Sequence, residues 1–193
     1  MKELEEKIIK EGKVLPGEVL KVGSFLNQRV DVKFLDLLGK EIAERFKDDG
    51  VTLVLTVEAS GIPIAYATAS ALGVPMVVAK KHESINLTND ILMTSVYSYT
   101  HKQTYEIVVS KEYISSSDKV LIVDDFLAMG NALEGLMVFV KASGADLAGA
   151  AVAVEKGFQE GGARFREKGI RIESLAIVDK MTDDGQIAFR SEG

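Results

Sequence analysis

Apolar residues recur along this chain in two rhythms. Short runs almost free of polar residues, Val51 to Val57, Met76 to Ala79, Val120 to Val123 and Ala148 to Val154, are rich in β-branched or small side chains and predict buried strands. Between them lie stretches with apolar positions three and four apart. Phe34, Leu35, Leu37, Leu38, Ile42 and Phe46 mark one helix through about Lys47; a small-residue helix spans about Pro63 to Leu72; Leu133, Leu136, Met137 and Val140 mark a third. A short helix near Ala163 to Lys168, a strand from Arg171 to Val178 and an edge strand near Ile187 to Phe189 complete the series. Strands alternating with helices predict an α/β fold, a central, mostly parallel sheet flanked by helices with right-handed crossovers, in a single domain over 1–193.

Three stretches depart from this alternation. Residues 1 to 12 place charges around Leu4, Ile8 and Ile9, the pattern of a short surface helix ended by Gly12. Lys13 to Val30 is apolar but broken by Pro16, Gly17, Gly23 and Asn27, which predicts an irregular segment packed on the body as a lid. Residues 82 to 103 are polar, with apolar positions alternating around Ile91, Met93, Val96 and Tyr99. They predict an exposed hairpin arm that runs on into Tyr105 to Val109 and can close over a ligand.

The candidate chemistry collects where strands end. Glu58-Ala59-Ser60-Gly61, Lys80-Lys81, Asp124-Asp125 and Lys156 each follow a predicted strand, and ligands of open parallel sheets bind at the carboxyl ends of strands. The most informative run is Lys119 to Ala132, KVLIVDDFLAMGNA. Here an apolar strand is stopped by two acids, and a small-residue loop then leads into a helix. The loop's free N–H groups and the helix's positive end suit a phosphate, and the acids suit a polyhydroxylated or cationic group. Together they point to a sugar phosphate.

Charge and composition narrow this further. The 193 residues carry a net charge of −6, which argues against broad affinity for nucleic acid or an anionic membrane, so an anion site has to be built locally. The absence of cysteine excludes disulfides, thiolate catalysis and thiolate zinc sites. Without an apolar run of membrane-spanning length or a leader pattern, a cytoplasmic protein is expected.

The strand, acid pair and small loop resemble the PRPP-binding signature of the type I phosphoribosyltransferases. That resemblance implies that Asp124 and Asp125 contact the ribose hydroxyls, as the catalytic acid pair, and that Ala128, Met129, Gly130, Asn131 and Ala132 grip the 5′-phosphate. Many family members carry Thr-Gly-Gly-Thr in this loop; here hydroxyl donors are missing, and the backbone and the Asn131 amide are expected to carry more of the grip. Glu58, Ala59 and Ser60 resemble the pyrophosphate loop, although by themselves they read equally well as a cap before a helix. Lys80 and Lys81, by themselves a solvated pair, would supply positive charge where pyrophosphate departs. Magnesium is implied as an ion carried by PRPP, with no direct protein ligand, and residues 82–103 correspond to the family's mobile loop.

Over nearly the whole chain, LKVGSFLNQRVD, AKKHESINLT, VDDFLAMGNA and VEKGFQEGGARF are similar to the bacterial branch of this family that uses xanthine. That implies a small hood, from about 13–30 plus about 155–178, in which Leu20, Asn27 and Lys156 contact the base and Phe126 lies against its ring. On the residues alone, Leu20 is lid packing, Asn27 a turn residue and Lys156 a surface strand end. The expected activity is purine salvage from xanthine and PRPP, in a homodimer. Guanine, hypoxanthine or adenine as the base, or a PRPP-sensing regulator, are the alternatives. The regulator lacks support because no basic recognition helix precedes the first core strand.

Overall fold

The computed structural model describes residues 1–81, 90–98, 103–182 and 184–190. Its central element is an eight-stranded sheet in the order β10-β9-β8-β7-β3-β4-β6-β5. β3 (Leu53–Val57), β4 (Met76–Lys81), β7 (Lys119–Leu127), β8 (Asp146–Lys156) and β9 (Ile172–Met181) run parallel. The antiparallel strands β5 (Ile91–Ser98) and β6 (Gln103–Ser110) close one edge, and β10 (Ile187–Phe189) closes the other. A separate two-stranded sheet, β1 (Lys13–Leu15) with β2 (Val19–Lys21), sits near the amino terminus.

Strand alternation divides the core into two layers. Val54, Leu121, Val123, Ala151, Ala153 and Leu175 face α1 (Lys2–Glu11), α2 (Val32–Arg45) and α3 (Ile62–Leu72). Leu55, Val120, Ile122, Ala150 and Val152 face α4 (Asn131–Ser143) and Phe165 of α5 (Glu160–Glu167). Fully burying a side chain of this size stabilises the fold by about 1.5–3 kcal/mol, so both faces of the sheet are anchored. α2 starts where Asp31 Oδ1 accepts the Phe34 N–H at 3.2 Å, the cap that stops the preceding segment from continuing the helix backwards.

Several boundaries differ from the sequence expectation. The acids do not stop their strand: β7 runs through both and pairs with β8 as far as Leu127 opposite Glu155. Ladder pairing on a central strand outweighs the low strand propensity of aspartate. In the same way β4 includes both lysines, because Lys80 and Lys81 pair with Val108 and Ile107. β8 is longer than Ala148 to Val154 at both ends, and α5 begins at Glu160, before Ala163. The segment from 13 to 30 contains a regular hairpin; Leu20 within it, and Val22, Phe25 and Leu26 after it, are buried.

The expected arm is in part a strand pair of the main sheet. Val96 is buried and packs with Leu92 toward α4, whereas Met93 is half exposed, so the inward phase is the opposite of one containing Ile91 and Met93. Residues 82–89 and 99–102 of that arm, Tyr99 among them, lie outside the described residues. The stretch from 155 to 178, expected to join the hood, is divided. β9 belongs to the main sheet, and Lys156 and Gln159 reach the β1–β2 turn at Glu18.

Candidate functional site

At the carboxyl end of β7, Asp124, Phe126, Leu127, Ala128, Met129, Gly130, Asn131 and Ala132 line a cavity of about 180 Å³, together with Tyr97 and Tyr105. Gly130 is the N-cap residue of α4 and has φ 82°, a left-handed conformation in which L side chains are strained. A Cβ there would also run into the Phe165 ring. Glycine therefore lets the loop turn sharply, and the N–H groups of Asn131, Ala132 and Leu133, in the first turn of α4, have no carbonyl within the helix to bond. These donors and the positive end of the helix make the loop an anion cradle. The Asn131 side-chain amide spends one of its two N–H donors on the Tyr97 carbonyl, at 2.9 Å.

The two acids have different surroundings. Asp125 is buried; Oδ2 accepts from Asn27 Nδ2 at 2.7 Å, and Oδ1 accepts from Ser60 Oγ at 3.0 Å. Both oxygens are thus tied, one to the segment after the hairpin and one to the loop after β3. Asp124 lines the cavity, and its Oδ1 accepts the Asp125 N–H at 2.9 Å. Its carboxyl is held well above the usual carboxylate range, by burial first and then by the charge of Asp125. Gly61 is the reason it can sit there, since a Cβ at that position would lie 2.6 Å from Asp124 Oδ1. Burial, reinforced by the Asp124 charge, also raises the Tyr105 phenol that lines the cavity.

The loop after β3 approaches through a cis Glu58–Ala59 peptide, and Glu58 Oε1 accepts the Lys81 N–H at 2.6 Å. This joins the two stretches expected to meet pyrophosphate. The lysines themselves are separated by strand alternation. Lys81 Nζ lies 5.2 Å from the centre of the Tyr105 ring at the cavity wall, whereas Lys80 lines another groove with Tyr113 and Asp118. Among the described residues, no three His, Cys, Asp or Glu side chains gather as a metal site. Asp124 is the carboxylate presented to the cavity, and it suits a cation that arrives with oxygen ligands of its own.

The residues expected to contact the base come from distant parts of the chain. Lys156, at the end of β8, donates from Nζ to the Glu18 carbonyl at 2.7 Å. Burial lowers its pKa, partly offset by the charge of Glu18. Leu20 is buried in β2, Phe126 is half-buried and Asn27 is held by Asp125. An ammonium has three donors and an amide N–H₂ two, so Lys156 and Asn27 each keep a donor for a ligand carbonyl.

One supporting group escaped the sequence reading. Glu155, 2% exposed, is paired with Arg166 through two hydrogen bonds of 2.7 Å and also accepts from Ser174. Burial alone would raise its carboxyl, but the Arg166 and Ser174 hydrogen bonds outweigh this and hold it below the ordinary value. Its neighbour Lys156 is thereby fixed on a strand end that cannot rotate freely. The Glu155-Lys156 order carried no sequence signal for a partner eleven residues on.

The phosphoribosyl transferase domain family matches residues 31–182. The chain is 48% identical over 193 residues to a xanthine phosphoribosyltransferase of Lachnoclostridium phytofermentans, covering 100% of each chain. It is 49% identical over 190 residues to a xanthine phosphoribosyltransferase of Limosilactobacillus fermentum, covering 98% of this chain and 97% of that one. Among solved structures, the adenine phosphoribosyltransferase of Trypanosoma brucei, in complex with AMP, pyrophosphate and ribose-5-phosphate, superposes with a TM-score of 0.77 at 19% identity, covering 94% of this chain and 82% of that chain. The Giardia lamblia adenine enzyme with 9-deazaadenine gives 0.75 at 22% identity, covering 90% and 96%. At such identities these structures speak to the fold alone.

Proposed function

This chain belongs to the phosphoribosyl transferase family, and we propose that within it the protein is a xanthine phosphoribosyltransferase of purine salvage. It converts xanthine and PRPP to xanthosine 5′-monophosphate and pyrophosphate. The observation that carries this reading is Asp125, whose two oxygens bind Asn27 on the base side and Ser60 on the pyrophosphate side, while its own strand leads into the phosphate cradle. One residue thus ties together the three places where the two substrates would have to meet.

In this scheme the N–H groups from Met129 to Ala132 hold the 5′-phosphate, and Asp124 and Asp125 hold the ribose hydroxyls. Lys81 and the loop at Glu58, Ala59 and Ser60 face the diphosphate. Lys80 starts on the other side of its strand and contributes only if the strand end turns. The lone pair of an imidazole-ring nitrogen of the base forms a bond to C1′ as the bond from C1′ to the diphosphate oxygen breaks, and the ring proton leaves to solvent. Positive character grows on the sugar, where two carboxylates oppose it, and negative charge grows on pyrophosphate, where lysine opposes it. Magnesium carried by PRPP would neutralise phosphate charge when bound, and Asp124 is the carboxyl group that would face it in the cavity.

Base choice follows from donors. Xanthine presents carbonyl oxygens that Lys156 and Asn27 can meet, whereas adenine would bring an amino group toward an ammonium. The 48% and 49% identity to xanthine enzymes over the whole chain supports the same choice. The working form is a homodimer in the cytoplasm on this reading; no helix among the described residues is long and apolar enough to cross a membrane. Turnover of PRPP with xanthine, guanine, hypoxanthine and adenine in separate assays tests the proposal. Xanthine should give the highest kcat/KM; a preference for adenine would overturn the base assignment, and no product from any base would overturn the activity.

A further inference from the structure

The phosphate cradle is backed by a helix that contributes nothing to its lining. α5 crosses behind the loop: the Gly161 N–H donates to the Ala128 carbonyl at 3.1 Å, and the Phe165 ring fills the space beneath Gly130. Arg164 extends from the same helix, donating from Nη2 to the Met129 carbonyl at 3.2 Å and to Glu134 Oε2 at 3.1 Å. The guanidinium carbon lies over the Phe165 ring, 4.8 Å from its centre. Two consecutive carbonyls of the loop are thereby drawn toward α5, and because C=O and N–H of a trans peptide point opposite ways, the Met129 and Gly130 N–H groups face away from that helix.

Glu134 gives the contact a second consequence. It lies in the first turn of α4, the turn whose free N–H groups would meet a phosphate dianion. A carboxylate near a helix N-terminus is favourable in an empty protein but repels an anion bound at the same end. Arg164 pairs with that carboxylate and cancels its charge locally. We propose that Arg164 is a positioning residue for the 5′-phosphate: it sets the Met129 peptide and neutralises Glu134, without touching the substrate. The proposal rests on the phosphoribosyltransferase reading and adds to it a residue outside the acid-pair and loop motif.

Ribose 5-phosphate and inorganic phosphate, titrated by calorimetry, probe the cradle without requiring turnover. Arg164→Ala should weaken ribose 5-phosphate about tenfold and raise the KM for PRPP by a similar factor, while the KM for xanthine stays within about twofold. These sizes correspond to one charge-assisted hydrogen bond and one uncompensated carboxylate. Adding Glu134→Gln to Arg164→Ala should recover about threefold of the loss, which a purely structural role for Arg164 would not produce. Arg164→Lys, able to meet one partner but not both, should fall between wild type and Arg164→Ala. If Arg164→Ala does not fold, Glu134→Gln alone decides, since it leaves an unpaired guanidinium beside the cradle and should tighten ribose 5-phosphate about twofold. Unchanged binding in Arg164→Ala, an equal loss for xanthine and PRPP, or no recovery in the double variant would overturn the proposal. Wild-type protein that binds no ribose 5-phosphate would overturn both the proposal and the reading beneath it.

Discussion

The two walls of the cleft are built in opposite ways. The wall proposed to hold the ribose phosphate comes from one unbroken run, Asp124 to Ala132, in which a central strand passes directly into a loop and a helix. The wall proposed to hold the base is assembled across the fold, Lys156 meeting the Glu18 carbonyl 138 positions away and Asn27 meeting Asp125 98 positions away. A wall made of one run holds its geometry through local backbone conformation, such as the left-handed Gly130. A wall assembled from distant pieces holds it through a few side-chain contacts and can change its ligand preference without disturbing the other. Asp125 is the exception, because it belongs to both walls.

The strongest way to break this division is therefore to remove that shared residue. Asp125→Asn keeps the shape and can keep both contacts, its oxygen accepting from Asn27 and its N–H₂ donating to the Ser60 hydroxyl, but it removes the charge that both hydrogen bonds and the sugar would face. We expect kcat/KM to fall about a hundredfold, with the KM values of xanthine and PRPP both raised. Steady-state kinetics with each substrate varied in turn would show it. A rise confined to PRPP would mean that the Asn27 contact is incidental and that the walls are independent; full activity would remove the acid pair from the mechanism.

The same division explains how far the residues alone could be read. The α/β order, the buried strands and the run from Lys119 to Ala132 announce themselves locally, through uninterrupted apolar stretches and a turn rich in small residues. The ends of β4 and β7 did not, since the pairing that carries each strand through charged residues depends on partners elsewhere in the chain. For the same reason the opposite directions of Lys80 and Lys81 become visible only once β4 is known to continue through them. Leu20, Asn27 and Lys156 read as packing, turn and surface until the β1–β2 hairpin is folded back onto β8, and it was resemblance that marked them. Glu155 with Arg166, and Arg164 with Met129, had no local signal at all.

Lys156→Met sharpens the comparison from the other side. The stem is replaced by a side chain of similar length and the ammonium is lost, along with its bond to Glu18. The KM for xanthine should rise about tenfold, the worth of a hydrogen bond from a charged donor, while the KM for PRPP stays within about twofold. The preference for xanthine over adenine should narrow in base-competition assays. An unchanged preference, or a matching rise in the KM for PRPP, would mean that Lys156 braces the hood and does not select the base.

The smallest effect concerns stability and separates the two adjacent acids. Asp124 has a folded pKa raised by burial and by its neighbour, so the native state holds a proton there more readily than the unfolded chain. Such a group contributes its full stability below the ordinary carboxyl pKa and loses it as pH rises through the raised folded value. Above that raised pKa the ionised carboxylate is a strain on the fold. Asp124→Asn should raise Tm by a few degrees at pH 8, on the scale of about 2–4 °C per kcal/mol for a chain of this size. The gain should shrink as pH falls through the raised pKa. Asp125→Asn, which turns two charge-assisted hydrogen bonds into neutral ones, should lower Tm at the same pH. Thermal melts of both variants from pH 5 to pH 8 test the contrast. If both acids shift Tm in the same direction, the different environments of Asp124 and Asp125 do not govern their energetics, and the ligand-facing acid carries no stored cost for binding to relieve.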